Sequence, residues 1–184
     1  SPDGRYLAVA HVLSRYQAPT TQLDRGWMNT NAVTVIDTEE PDKPHPVLLD
    51  DPDAGAANPW GVSFSEDGRT LFVTHAGTHE LSVIDFPALL ERMKREDRSN
   101  EPVSERLGFL HGLRARIALP LNGPRAVASD GKNVYVAGYF SDSLAEISLK
   151  DARKSRAIPL NAPFRPSREK LGERYFNDAS HCFQ

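Results

Sequence analysis

Short apolar runs of five or six residues recur along this chain, closed by Asp-Gly, Asn-Pro or Gly-Pro, and they predict strands. Ser1-Pro2-Asp3-Gly4-Arg5 leads into Tyr6-Leu7-Ala8-Val9-Ala10-His11. The same phrase returns as Ser65-Glu66-Asp67-Gly68-Arg69 before Thr70-Leu71-Phe72-Val73-Thr74-His75, and more loosely as Ser129-Asp130-Gly131-Lys132 before Asn133-Val134-Tyr135-Val136-Ala137-Gly138. Each copy is followed by a second run, at 32–37, 81–85 and 144–148. Asp-Gly suits the tight turn between strands, because Gly accepts positive φ and Asp can bond its own turn backbone. Self-similarity of this kind means a stacked or radial array.

The copies stand 64 and 63 residues apart at Asp3, Asp67 and Asp130, too long for one unit. Internal spacings show why. Asp67 to Asp85 and Asp130 to Ser148 are each 18, whereas Asp3 to Asp37 is 34, so the first copy carries 16 extra residues. A second insertion follows Asp85. The third copy is uninterrupted, and Leu121-Asn122-Gly123-Pro124 echoes as Leu160-Asn161-Ala162-Pro163 at an offset of 39. The unit is thus about 40 residues, one four-stranded blade. The fold class expected is all-β, a partial β-propeller of about three antiparallel blades over residues 1–164. Strands are expected at 61–65, 70–74, 81–86 and 116–119, then at 126–129, 133–137, 144–149 and 156–160. The first copy opens at its turn, without the strand expected before it, so the chain reads as a fragment whose partners include further blades of the same protein.

Asn58-Pro59-Trp60-Gly61-Val62, then Ser-x-Asp-Gly, Leu-Phe-Val-Thr and Leu-Ser-Val-Ile-Asp, resembles the YVTN-type β-propeller repeat. The resemblance implies architecture and says little of function, since one such scaffold hosts many roles.

Function in a propeller is expected on the loops of one face. The insertion at 11–30 holds His11, Arg15, Tyr16, Asp24, Arg25 and Trp27. Propeller wiring would set it beside Trp60, His75, His79, Arg125 and Tyr139, a face for a small molecule, a metal or a partner. His11 and His75 hold the same repeat position and are the weak candidates for metal ligands; no third ligand stands at a diagnostic spacing. Arg15, Arg25 or Arg125 could clamp a carboxylate. The insertion after Asp85 reads as a short helix at 86–95 on the opposite face, with Leu89, Leu90 and Met93 as its buried stripe.

Composition narrows the classes. The chain has 184 residues, a formal charge of −3 and 39% hydrophobic content, with no apolar run long enough to span a bilayer. The strands lack interleaved basic and aromatic residues, so nucleic acid is not an expected partner. Residues 37–67 hold nine acids and one lysine, a local −8, while 150–174 hold eight bases and three acids, a local +5. The stretch Asp50-Asp51-Pro52-Asp53-Ala54-Gly55 lacks the calcium-loop register and reads as a solvated inter-blade loop. A single cysteine, Cys182, excludes an internal disulfide, and no nucleophile elbow, phosphate loop or zinc-protease motif is present, so no catalytic set emerges.

Beyond residue 164 the strand pattern stops. Pro166 and Ser167 introduce a helix, with Leu171 and Tyr175 on one face. Gly172, Phe176, Asn177 and Asp178 form a Gly-x-x-x-Phe-x-Asp stretch that resembles the opening helix of di-haem cytochrome c peroxidase-type domains. Tyr175 departs from the commoner Leu, and no C-x-x-C-H is present within these residues. The resemblance implies that residues 165–184 are a linker and first helix of a cytochrome c-like domain, that c-type haem is attached in a region outside this chain, and that the protein is extracytoplasmic. The expected role is a binding or scaffold module of a haem-associated electron-transfer or peroxidase-like protein, with a redox partner or small molecule on its face. A lactonase-like, metal-assisted hydrolase and a cell-surface interaction protein without haem are the alternatives.

Overall fold

The computed structural model describes residues 1–14, 29–96, 103–151, 154–161 and 165–181. Eleven strands form three antiparallel sheets among these residues. The first contains β1 (Tyr6–Ser14), β2 (Asn29–Asp37) and β3 (His45–Leu48), in that order. The second runs β4 (Pro59–Phe64), β5 (Thr70–His75), β6 (Glu80–Asp85), β7 (Arg114–Ala118), and the third β8 (Pro124–Ser129), β9 (Asn133–Gly138), β10 (Ser143–Ser148), β11 (Ser155–Pro159). The chain is a partial β-propeller.

All three copies share the turn glycine, and the first two share the same local bonds. In the third, Ser129 Oγ donates to the Asn133 carbonyl and Asp130 accepts from the Asn133 amide. Gly4, Gly68 and Gly131 have φ of 73°, 69° and 81° at the Asp-Gly turns. Ser1 Oγ donates to Asp3 and accepts from the Tyr6 amide at 2.8 Å; Ser65 Oγ does the same for Asp67 and Thr70, at 2.9 Å to the amide. The registers of β4 and β8 both slip near their starts, between Pro59 and Val62 and between Pro124 and Ala126. A proline there cannot donate to the ladder, so a bulge is the compatible arrangement.

The middle sheet is sandwiched, which explains why β5 is a continuous apolar run. Leu71, Val73 and Ile84 join Val33, Val35 and Val47 in the core between the first two sheets. Phe72 and Leu81 turn the other way and meet Val134, Val136, Ala145 and Ile147 of the third. In β1 the faces separate. Tyr6, Ala8 and Ala10 pack toward the second sheet, while Leu7 and Val9 are 54% and 47% exposed at positions whose counterparts, Leu71 and Val73, are fully buried.

Helix α1 (Phe86–Glu96) lies at the Asp-Gly-turn end of the blades. Asp85 caps it by accepting from the Ala88 amide, Phe86 meets Tyr6 and Phe64 edge to face, and Leu89 and Met93 are buried as expected, with Leu90 half-buried. Helix α2 (Arg168–Asn177) begins at Ser167, whose hydroxyl accepts from the Lys170 amide, and contains no buried residue. A single 3₁₀ turn at Ala179–His181 follows it, at the opposite end of the blades from α1. Among the described residues no helix is long and apolar enough to cross a membrane.

Candidate functional site

The face opposite α1 is where β4 and β8 begin and where β5 and β9 end. Its first element is a histidine rung. His75 Nδ1 donates to the Ala56 carbonyl at 3.1 Å, so Nε2 accepts from Ser82 Oγ at 2.7 Å. The side chain is completely buried, and burial, with Arg114 and Arg116 nearby, pushes its pKa down to about 3. His11 repeats the rung one blade away, with Nε2 2.7 Å from Thr34 Oγ1. Registers coincide: Thr34 and Ser82 each stand two positions past the residue paired with the histidine. The two candidate metal ligands differ in what the fold leaves them. Both ring nitrogens of His75 are occupied and point into protein, and His11 spends one on its own strand neighbour.

The second element is the loop that links the first two sheets. Asp50, expected in a solvated stretch, is fully buried and accepts from the Asn31 amide and side chain at 2.8 Å and from the Ala56 amide at 2.6 Å. Asp51 pairs with Arg114 and Arg116, and Arg116 also holds Glu80 and the Ala54 and Gly55 carbonyls. Acids that looked like surface charge are fasteners between blades. Gly77 then donates to the Ala57 carbonyl at 2.9 Å, and the Ala179 amide donates to Gly77's carbonyl at 2.9 Å. A Cβ at Gly77 would lie 2.8 Å from that of Ala57 and 3.3 Å from that of Ala179, so only glycine permits the tail this close.

The third element joins tail and blades. His79 adopts φ 58°, a costly conformation for a side chain of this kind, and Asp142 repeats it at 46° in the next blade's hairpin. His79 Nδ1 accepts from the Gly123 amide at 3.1 Å, which places the neutral ring's proton on Nε2. Asp178 faces that nitrogen at 3.2 Å, a contact whose alignment is poorer than its length, and the carboxylate is only 4% exposed. Burial raises the Asp178 carboxyl, but bonds from Ser180 and His79 outweigh it and hold its pKa below the ordinary value. Gly123 itself has φ 64°, and a Cβ there would strike Phe140 at 2.4 Å.

A cation–aromatic ladder completes the face. Arg125 Cζ lies 4.4 Å from the Trp60 ring centre and 3.6 Å from that of Tyr139; Lys170 Nζ is also 3.6 Å from the Tyr139 centre. Two groups over one face at that height would collide, so the ring separates them. Glu173 accepts from Lys170 at 3.0 Å, which holds its carboxyl below the usual range.

Thus the structure gathers His79, Trp60, Arg125 and Tyr139 with Asp178, joining residues of the candidate face to one from the tail motif. Of the rest of that motif, Asn177 bonds the Glu173 carbonyl, Gly172 has nothing within 4 Å of its Cβ direction, and Phe176 is 90% exposed. Arg15, Tyr16, Asp24, Arg25, Trp27 and Cys182 lie outside the described residues. Gly77, Ser82, Gly123 and Lys170 were not foreseen; their repeat positions alone could have drawn attention to the first three. Among the described residues no cluster of three or more potential metal ligands occurs.

No family model matches the chain. Among curated proteins it resembles the hydrazine synthase subunit beta of Kuenenia stuttgartiensis, 30% identical over 151 residues, which is 80% of this chain and 39% of that protein. A solved structure of Kuenenia stuttgartiensis hydrazine synthase superposes with a TM-score of 0.70 at 29% identity, over 80% of this chain and 43% of that one. The chain is similar to part of a hydrazine synthase chain. It spans about two fifths of the length of the relatives it matches.

Proposed function

We propose that this chain is the binding and scaffold propeller of an extracytoplasmic, haem-associated redox protein, and that its face seats the next segment of its own polypeptide. The carrying observation is the tail: Ala179 bonds Gly77 and Asp178 faces His79, so the helix with cytochrome-like residues rests on the propeller mouth. Likeness to a protein named as a synthase subunit supports a role within an assembly, with partner proteins. The residues present do not attach haem themselves. Cys182 is the single cysteine, and covalent c-type attachment uses C-x-x-C-H. The haem therefore belongs to a region outside these residues, and the propeller's part is to bind and orient.

Residues 1–164 are then the propeller unit and 165–184 the approach to a cytochrome c-like domain. The test is a haem stain of the full-length parent protein after denaturation, with peptide mapping of the attachment site. Covalent haem downstream of Gln184 is the expected result; a parent protein without covalent haem overturns the reading. No observation favours the hydrolase.

A further inference from the structure

We infer that the mouth between Trp60, Arg125 and α2 is a binding site for an organic carboxylate. Arg5, Arg114, Arg116 and Arg156 each pair with a carboxylate. Arg125 makes no ion pair among the described residues, and its Nε is buried without a partner. Glu173 feels its charge but is bonded to Lys170. Arg174, one turn beyond Lys170 on α2, also has a buried Nε without a partner. Around Tyr139 two cations, Arg125 and Lys170, stand against one acid, Glu173. The terminal N–H groups of Arg125 have no carboxylate acceptor among the described residues, and a bound anion would supply one.

The ligand class follows from the walls. Stacking between Trp60 and Tyr139 holds the guanidinium by its faces and leaves its N–H edge to fork a carboxylate. Both faces of Tyr139 are taken by Arg125 and Lys170, whereas Trp60 carries Arg125 and remains 57% exposed, so Trp60 offers an apolar surface to the carbon part of the ligand. An inorganic anion would use the fork and ignore the rings. The inference rests on the docked tail of the proposed function, because Lys170 arrives with it.

The full-length parent protein is titrated calorimetrically at low salt with benzoate and, separately, with inorganic phosphate. Saturable benzoate binding is expected, weakened at least about tenfold by Arg125→Gln and several-fold by Arg125→Lys, which keeps charge but loses the fork. Trp60→Ala weakens benzoate and leaves phosphate unchanged. No saturable benzoate binding, binding indifferent to Arg125→Gln, or an equal effect of Trp60→Ala on both ligands overturns the inference. Amide exchange at Ala179 is followed in the same samples. Protection retained in Arg125→Gln assigns the loss to the guanidinium; free exchange in the unaltered protein refutes docking, whatever the titration shows.

Discussion

Asp178→Ala isolates the contact that fastens the tail. The substitution removes the acceptor of the Ser180 amide and hydroxyl and the charge opposite His79 Nε2, 3.2 Å away. At 4% exposure water cannot take the carboxylate's place. The two Ser180 bonds shape the turn that presents Ala179 to Gly77, and with the charge facing His79 they contribute about 1.5–3 kcal/mol. Helix α2 buries no residue of its own, so little apolar contact offsets the loss. A loss of about 2 kcal/mol raises the undocked population about 30-fold. Amide exchange reads this directly at Ala179, whose N–H donates to Gly77. Exchange there should accelerate about 30-fold while β5 and β6 keep their protection. Unchanged exchange at Ala179, or parallel acceleration through β5 and β6, would refute the argument. The pH dependence has a fixed sign. Because the carboxyl's folded pKa is lowered, the fastening is complete above about 3.9 and is lost as pH falls through the lowered value.

Three further outcomes are expected. His75 is held neutral with a pKa of about 3, so the unfolded chain takes up a proton that the folded ring refuses; stability should decline as pH falls from about 6.5 toward that value. Urea unfolding across this range should show the decline, and His75→Gln should flatten it. Arg116→Ala should cost about 2–3 kcal/mol in the same assay, since it removes the ion pair to Glu80, one of the two arginines on Asp51 and the bonds to two carbonyls between blades. Gly123→Ala should cost about 2–4 kcal/mol through its positive φ and the clash with Phe140, whereas Gly172→Ala, facing open space in α2, should stabilise by up to about 1 kcal/mol; thermal unfolding distinguishes them.

Repetition made the blades legible. Serine, aspartate and glycine at each turn specify local bonds within five residues, so β5, β6, β9 and β10 fall where their patterns predict, with ends within a residue. Strand β3 was not anticipated, because four residues containing Pro46 carry no alternation to detect. The site was half legible. Trp60, His79, Arg125 and Tyr139 do converge on one face, as the repeat positions imply. His75, read as site chemistry, and Asp50, read as solvated, are buried for a common reason: each is partnered across the chain, by Ser82 and by Asn31 and Ala56. Tail docking left no periodic trace, since it depends on the bare backbone of Gly77 and on one carboxylate.

The bonds around Asp50 also have a mechanical meaning. From Asn31 on β2 they run through Asp50 to Ala56, and from Ala57 through Gly77 to Ala179. Tension applied at the tail is therefore borne by polar links in series, loaded one after another, while the apolar layers between blades stay unstressed. Such a joint yields at its terminal link. Pulled from its C-terminal end, the protein should shed α2 at low force as a brittle, separate event. The blades should give way only later, and at a force set by strands rather than by the latch.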